Sequence, residues 1–382
     1  MDFALTEEQN AIFEMAHDFA IANIAPNAIE WDDSKTFPVD VMRAAAALGM
    51  GGIYVREDAG GSGLSRLDAT LIFEALSHGC PSIAAYMSIH NMCAWMVDQF
   101  GADELRSLWL PKLCTMESFA SYCLTEPDAG SDAAALTTRA TRDNENYTVN
   151  GAKVFISGAG VSDLYIVMAR TGAGGADGIT SLLVSKGAEG LSFGANEKKM
   201  GWNAQPTATV QLDNVHVPIT NRLGEEGDGF KIAMQGLDGG RLNIAACSLG
   251  AAQATLDKSL AYMAERKAFG KTLTNFQALQ FRIADMETEL QAARTFLRHA
   301  AWKLDQQAPD AIKFCAMAKR FVTDVGFKVA NEALQLHGGY GYLQEFGIEK
   351  IVRDLRVHQI LEGTNEIMRL IIARAVIKES GA

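Results

Sequence analysis

"FISGAGVSD", Phe155–Asp163, is the stretch on which the fold turns. It comes nearer than any other to a glycine-rich dinucleotide fingerprint. That motif needs a strand, then G-x-G-x-x-G, then a helix whose N-terminus takes the pyrophosphate. Here the third glycine is missing, and the next segment, "DLYIVMAR", is another β-rich run. A doubly wound α/β fold is therefore not expected. Outward from this point lie "FASYCLT" and "NYTVNGAKVFIS" on one side, "GITSLLVS" and "ATVQLDNVHVP" on the other. Turns at Asn150-Gly151, Gly172 to Gly178 and Gly187 separate them. Short β runs with such turns predict a small antiparallel β domain over 117–226.

Both flanks read as helices. Over 1–116, Thr6 to Gln9 form a capping box, and Ile12, Phe13, Ala16, Phe19 and Ala20 follow at helical spacing. Pro38 opens another helix, and Gly49 closes it. "GGSG", Gly60 to Gly63, is a loop before "RLDATLIFEALSHG" and "PSIAAYMSIHNMCAWMVDQFG". Over 227–382 the helical patterns are long and Ala-rich, with broad apolar faces that predict a helical bundle. The expected class is α+β, in the order helices, sheet, bundle.

The 382 residues are 48% hydrophobic and 21% charged, with a formal net charge of −12. That field and the lack of a basic run argue against a nucleic-acid partner. Cys80, Cys93, Cys114, Cys123, Cys247 and Cys315 form no C-x-x-C pair and keep no His cluster near them. They read as small buried residues, and no metal site is expected. "MDFALTEEQNAIFEMAHDFA" has neither the basic-then-apolar character of a secretory signal nor the Arg-rich character of a transit peptide. No apolar run reaches the ~20 residues of a membrane span. The expectation is a bacterial cytoplasmic protein, or a processed chain of the mitochondrial matrix, with no membrane partner.

Five stretches could carry chemistry. "YCLTEPDAGSD", Tyr122–Asp132, ends a β run in Pro and Gly, so its N–H groups and hydroxyls can face a ligand or merely cap a loop. "GLDGGRLNIAA", Gly236–Ala246, places glycines in a helical pattern at ~1 kcal/mol each. A ligand close to the backbone would explain them, and so would a break between two helices. "ERKAFGKTLTNFQ", Glu265–Gln277, gathers Arg266, Lys267 and Lys271 in an acidic protein, suiting a phosphate or a solvated helix end. "QLHGGYGY", Gln335–Tyr342, is a Gly-rich turn after a helix. "HQILEGTNEIMR", residues 358–369, sets Glu362 behind Ile360 and Leu361 and before Gly363, Thr364 and Asn365. An acid there is either a favourable helix-end charge or a base held in an apolar pocket.

Taken together, "YCLTEPDAGSD", "RKAFGK", "QLHGGYGY" and "LEGTNEIMR" make almost the whole chain resemble the acyl-CoA dehydrogenase family of flavoenzymes. The resemblance implies an N-terminal helical domain, a middle β domain and a C-terminal four-helix domain. It implies FAD between sheet and bundle, a homotetramer, and an electron-transfer flavoprotein as acceptor. An oxidase passing electrons to oxygen, or a non-catalytic flavoprotein, are the alternatives. The family's base directly precedes the Gly-Thr of the last motif, which is Glu362. In one branch the base sits just before the Arg of the glycine helix, and Gly240 occupies that place here. The base removes the α proton of an acyl-CoA and the β hydride goes to flavin N5. The Glu362 backbone N–H and a ribityl hydroxyl hold the thioester oxygen.

By position, Tyr122, Leu124 and Thr125 line the flavin, and Gly130 and Ser131 lie beside it, Ser131 also touching the CoA thioester arm. Phe155, Ile156 and Ser157 flank the isoalloxazine, with Phe and Ser departing from the Trp-Ile-Thr of many relatives. Arg266, Phe269, Phe276, Gln277, Gln335, Leu336, Gly338 and Gly339 take the FAD pyrophosphate and adenine across a subunit interface. Thr364, Asn365 and Glu366 touch the adenosine side. Asp238, Arg241, Leu361, Gly363 and Arg374 face the acyl-CoA. "FPVDVMR", "GGSGLSRLD", "SIHNMCAWM" and "EKKMGWNAQPT" carry the resemblance further, to members acting on isobutyryl-CoA in valine breakdown to give methacrylyl-CoA. A 2-methyl-branched or a straight short-chain substrate is the alternative. Leu361, where many relatives have Tyr, leaves room for an α-methyl group, and Met92 and Trp95 can shorten the pocket.

Overall fold

The structure, a computed structural model, describes residues 4–381. Residues 1–3 and 382, the outer ends of the first and last expected segments, lie outside the described residues. Helices α1 (Glu7–Phe19), α2 (Ala28–Ser34), α3 (Val39–Ala46), α4 (Arg66–Gly79), α5 (Pro81–Phe100) and α6 (Asp103–Cys114) come first. Thr6 and Gln9 close the expected capping box on α1. Helix α5 is buried on nearly every side, which is why its sequence is apolar around its whole circumference.

Strands β1 (Ala120–Cys123), β2 (Arg139–Arg142), β3 (Asn146–Ser157), β4 (Leu164–Arg170), β5 (Ile179–Ser185), β6 (Leu191–Phe193), β7 (Thr207–Pro218) and β8 (Arg222–Leu223) form one sheet. Its order is β6-β7-β3-β2-β4-β5-β8, with β1 on β4. Most pairs are antiparallel, but β1 runs parallel to β4, and β2 meets β4 in parallel at Arg139 and Arg170. No hairpin joins β1 to β4, so turn chemistry does not set their relative direction. Strand β3 loses register with β7 between Lys153 and Ile156. This bulge puts Phe155 at φ +59° and swings its ring outward, 68% exposed.

Helix α7 (Gly229–Glu265) is continuous through Gly236, Gly239 and Gly240, so these glycines mark no break. A hairpin follows, β9 (Lys267–Ala268) and β10 (Lys271–Thr272), turning on Phe269 and Gly270 with φ of 50° and 80°. Positive φ at both central residues gives the tight turn whose twist suits paired strands. Then come α8 (Gln277–Asp305), α9 (Ala311–His337), α10 (Ile348–Arg356) and α11 (Asn365–Glu379). One core joins α4 and α5 to α7, α8 and α9, and a second joins α5 and α6 to β1, β4 and the start of α7. The two meet along α5 and α7, which places the candidate site where all three parts of the chain converge. Among the described residues no helix is long and apolar enough to cross a membrane.

Candidate active site

Helix α10 runs out into a short 3-10 turn, Val357–Gln359, and the amides of Ile360 and Leu361 both return to the Val357 carbonyl. Glu362 and Gly363 then take left-handed conformations, φ +56° and +86°. For a Glu this costs on the order of 1–2 kcal/mol. Arg241 Nε donates to the Glu362 carbonyl at 3.3 Å, and Lys319 Nζ to the Gly363 carbonyl at 2.8 Å. Thr364 caps α11 through the Ile367 amide. The turn aims Glu362 back at α7, where a Cβ built on Gly240 would lie 2.7 Å from its Oε2 and 3.3 Å from Met92 Sδ. Gly240 is therefore glycine because the carboxylate occupies the space of a side chain.

Glu362 Oε2 is buried and has no hydrogen-bond partner. Burial pushes its carboxyl up to about 7, against the opposing pull of Lys319 and Arg241. A helix-end charge would be held down instead, as Glu366 in the first turn of α11 is, by its own backbone N–H. Of the two local readings of Glu362, the buried acid is the one the geometry supports. Nearby, the Tyr122 hydroxyl is also buried without a partner, and burial raises its ionisation.

Asp238 and Arg241 form a buried pair at 2.6 Å on α7. Arg241 thus spends its guanidinium on Asp238 and on the base turn. The Asn365 side chain is turned towards α9. Its amide is buried, accepts from Lys319 at 2.9 Å and donates to Thr323 and Asp324. Glu366 is exposed and pairs with Arg369, and Arg374 is exposed on α11. Sequence reasoning missed three residues here. Lys319 sits on the apolar stripe of α9 with Cys315 and Val322, a position where a Lys is a signal. Arg66 stacks on Tyr54 and Trp95, 3.7 and 4.8 Å from their ring centres, with Nη1 buried and unpaired. Glu126, inside "YCLTEPDAGSD", binds Lys153 Nζ at 2.7 Å and accepts from the Thr137 and Thr138 amides. Against burial, Lys153 and these donors hold its carboxyl down at about 2. Lys153 also donates to the Leu124 carbonyl, so one buried pair fixes the loop that bears Leu124, Thr125 and Ser131. Removing either partner alone would strand a buried charge at a cost of about 3–5 kcal/mol.

Two regions have the character a flavin nucleotide needs. Leu124 and Ile156 are buried, Thr125 and Ser157 are half-buried, and Gly130 and Ser131 are exposed beside them. The Phe155 ring stands out from the same sheet as an uncovered aromatic face. The second region is a groove of about 540 Å³ lined by Arg266, Gln335, Leu336, Gly338 and Gly339, with Tyr262 and Tyr340. Arg266 stacks on Tyr340, and a Cβ on Gly338 or Gly339 would meet nothing within 4 Å. A cation beside open backbone fits a pyrophosphate. Phe276 lies under Lys271, Gln277 opens α8 in solvent, and Phe269 is 94% exposed at the hairpin tip. The residues present fit FAD.

The chain matches the acyl-CoA dehydrogenase N-terminal domain over 6–117, the middle domain over 121–215 and the C-terminal domain over 227–377. It is 55% identical to the mitochondrial isobutyryl-CoA dehydrogenase of Bos taurus, over 98% of this chain and 90% of that one. Against the mitochondrial isobutyryl-CoA dehydrogenase of Dictyostelium discoideum it is 54% identical, with the same coverage. Butyryl-CoA dehydrogenase from Megasphaera elsdenii superposes with a TM-score of 0.95 at 38% identity, over 99% of this chain and all of that one. The chain belongs to the acyl-CoA dehydrogenase family. It is an enzyme of that family, an FAD-dependent oxidoreductase that dehydrogenates an acyl-CoA.

Proposed function

We propose that this chain oxidises isobutyryl-CoA to methacrylyl-CoA in valine breakdown, with Glu362 as the base that removes the α proton. The observation that carries the proposal is the unpaired, buried Glu362 Oε2 facing the glycine stripe of α7. A carboxylate with no hydrogen bond and an elevated ionisation is a strong base poised near neutral pH. When bound, FAD supplies the flavin N5 that accepts the β hydride. Arg241 orients the base through its backbone carbonyl, and the Glu362 backbone N–H serves the thioester oxygen, where charge develops. Leu361 is half-buried directly before the base and gives an α-methyl group lateral room. Met92 and Met96 pack on the α7 glycines, and Met92 with Trp95 bounds the pocket lengthwise in this reading. Both mammalian and amoebal relatives act on isobutyryl-CoA by name, in agreement with this pocket.

The domains are taken as 1–116, 117–226 and 227–382. Tyr122, Thr125, Ser131 and Phe155 face the flavin, while Ser131, Gly363 and Arg374 serve the CoA. Electrons leave to an electron-transfer flavoprotein, in the mitochondrial matrix or the bacterial cytoplasm. The substrate test is kcat/KM for isobutyryl-, 2-methylbutyryl-, butyryl- and octanoyl-CoA with one electron acceptor. Isobutyryl-CoA is expected to lead, by margins that a methylene limits to ~1–3 kcal/mol. A clear win for butyryl- or octanoyl-CoA rejects the assigned substrate. Leu361→Tyr is expected to hurt the branched substrate more than the straight one.

The working form is a homotetramer in which the Arg266 groove takes the pyrophosphate of an FAD shared between subunits. Phe269, exposed at the tip of the hairpin that follows Arg266, is the kind of aromatic surface such sharing would cover. Arg266→Ala is expected to weaken FAD retention by roughly 1.5–3 kcal/mol, the value of a charge-assisted hydrogen bond. Flavin content and the tetramer peak on gel filtration should fall together. Full FAD occupancy in an intact tetramer contradicts the shared groove.

A further inference from the structure

Lys319 is wholly buried on α9, yet among the described residues no carboxylate lies within hydrogen-bond distance of its Nζ. Its two bonds go to neutral oxygens, the Gly363 carbonyl at 2.8 Å and Asn365 Oδ1 at 2.9 Å. Asn365 cannot turn away, because its Nδ2 donates to Thr323 at 3.0 Å and Asp324 at 2.8 Å. Neutral donors would suffice to hold a carbonyl. A buried, unpaired ammonium is costly unless its charge has a use. Its neighbour in the fold is the base turn itself: Arg241, from α7, donates to the Glu362 carbonyl, and Lys319, from α9, to the next one. Two cations on two helices thus grip successive carbonyls of a left-handed pair that would otherwise relax.

We propose that Lys319 is a positioning residue for the base, clamping the Glu362–Gly363 turn with its ammonium and placing a positive charge beside the carboxylate at neutral pH. This rests on Glu362 being the base. Burial pulls the Lys319 ionisation down to about 8, with Glu362 opposing. Arg241, Asp324, Glu366 and the neutral His358, held at about 3 by burial, are the other groups that face it. Glu362 is faced by Lys319 and Arg241, and by Tyr54, Tyr122 and Cys247, which burial keeps un-ionised. Loss of the Lys319 charge therefore raises the pH at which Glu362 becomes a base.

The test is anaerobic flavin reduction by isobutyryl-CoA in the holoenzyme from pH 6 to 9.5, for wild type, Lys319→Met, Lys319→Arg and Glu362→Gln. Binding of a CoA thioether, which has no acidic α C–H, is measured alongside. Lys319→Met is expected to keep FAD and thioether affinity and to reduce flavin about 10-fold more slowly at pH 7.5. Its acid limb should move up by about one pH unit, the scale of one nearby charge. Lys319→Arg should return the limb towards the wild-type position. An unchanged rate and limb in Lys319→Met overturns the proposal. So does a slower rate with an unmoved limb, which a merely structural lysine would give. Should Lys319→Met fail to hold FAD, the wild-type profile decides. A fall in rate above about pH 8 is expected as the ammonium loses its proton and with it its charge, and a profile flat to pH 9.5 overturns the clamp. Near-normal reduction by Glu362→Gln would instead defeat the assignment of the base.

Discussion

Glu362→Gln is expected to retain FAD and acyl-CoA while flavin reduction by the acyl-CoA falls ~10²–10⁴-fold, the usual weight of a general base. The amide matches the carboxylate in shape, so the turn held by Arg241 and Lys319 stays in place. No neighbouring group can take over. Asp238 is locked to Arg241, position 240 bears no side chain, and burial keeps the Tyr122 hydroxyl protonated. Stability supplies a second readout with a definite sign. The Glu362 carboxyl ionises at about 7 in the folded chain, above its ordinary value of 4.5. A group raised on folding contributes stability that is full below the unfolded value and is lost as pH rises through the folded one. Gln does not titrate, so the variant should gain on wild type between pH 5 and pH 8, by at most about 3 kcal/mol. Thermal unfolding at the two pH values measures that gain, and stopped-flow absorbance measures the reduction. A variant that keeps more than about a tenth of the wild-type rate would reassign the base.

Much of this was legible before any coordinates, and what was not has physical reasons. The order helices, sheet, bundle follows from periodicity, which is local. Glu362 stood out because four motifs in one order constrain a family more than any one of them constrains a site. Periodicity gave no warning of the parallel β1, whose partner β4 is set by long-range packing rather than by a turn. The Glu126–Lys153 pair joins the loop after β1 to β3 across 27 residues, and nothing in either segment names the other. The left-handed Phe155 and Glu362 are also invisible to propensity, since only a surrounding structure can hold a bulky or branched-off residue there. The partners of the Asn365 side chain were hidden for a related reason. Its sequence neighbours suggest a ligand, but its amide is consumed by α9. In the glycine helix, the residues that justify Gly236 and Gly240 lie on α5 and on the base turn, far away in sequence.

That helix yields the second large effect, because Gly240→Ala should separate stability from activity. In a continuous helix, Ala is favoured over Gly by up to ~1 kcal/mol, so folding should be unharmed or slightly improved. The new Cβ, however, would fall 2.7 Å from Glu362 Oε2 and 3.2 Å from its Cδ. The backbone of the base turn is clamped by Arg241 and Lys319, so the carboxylate end must give way. A displacement approaching 1 Å in a reacting group can cost ~10²-fold, and that is the loss expected in flavin reduction. FAD content should be unchanged, since no FAD-facing residue is touched. Gly236→Ala, one turn earlier, is the control. Its Cβ would come no nearer than 3.2 Å, to Met96 Sδ, and Met rearranges easily. It should shift the melting temperature in the same direction while leaving the rate within a few-fold. Equal losses in the two variants would mean that glycine is needed along this helix for packing, and that the contact between position 240 and the base has no catalytic consequence.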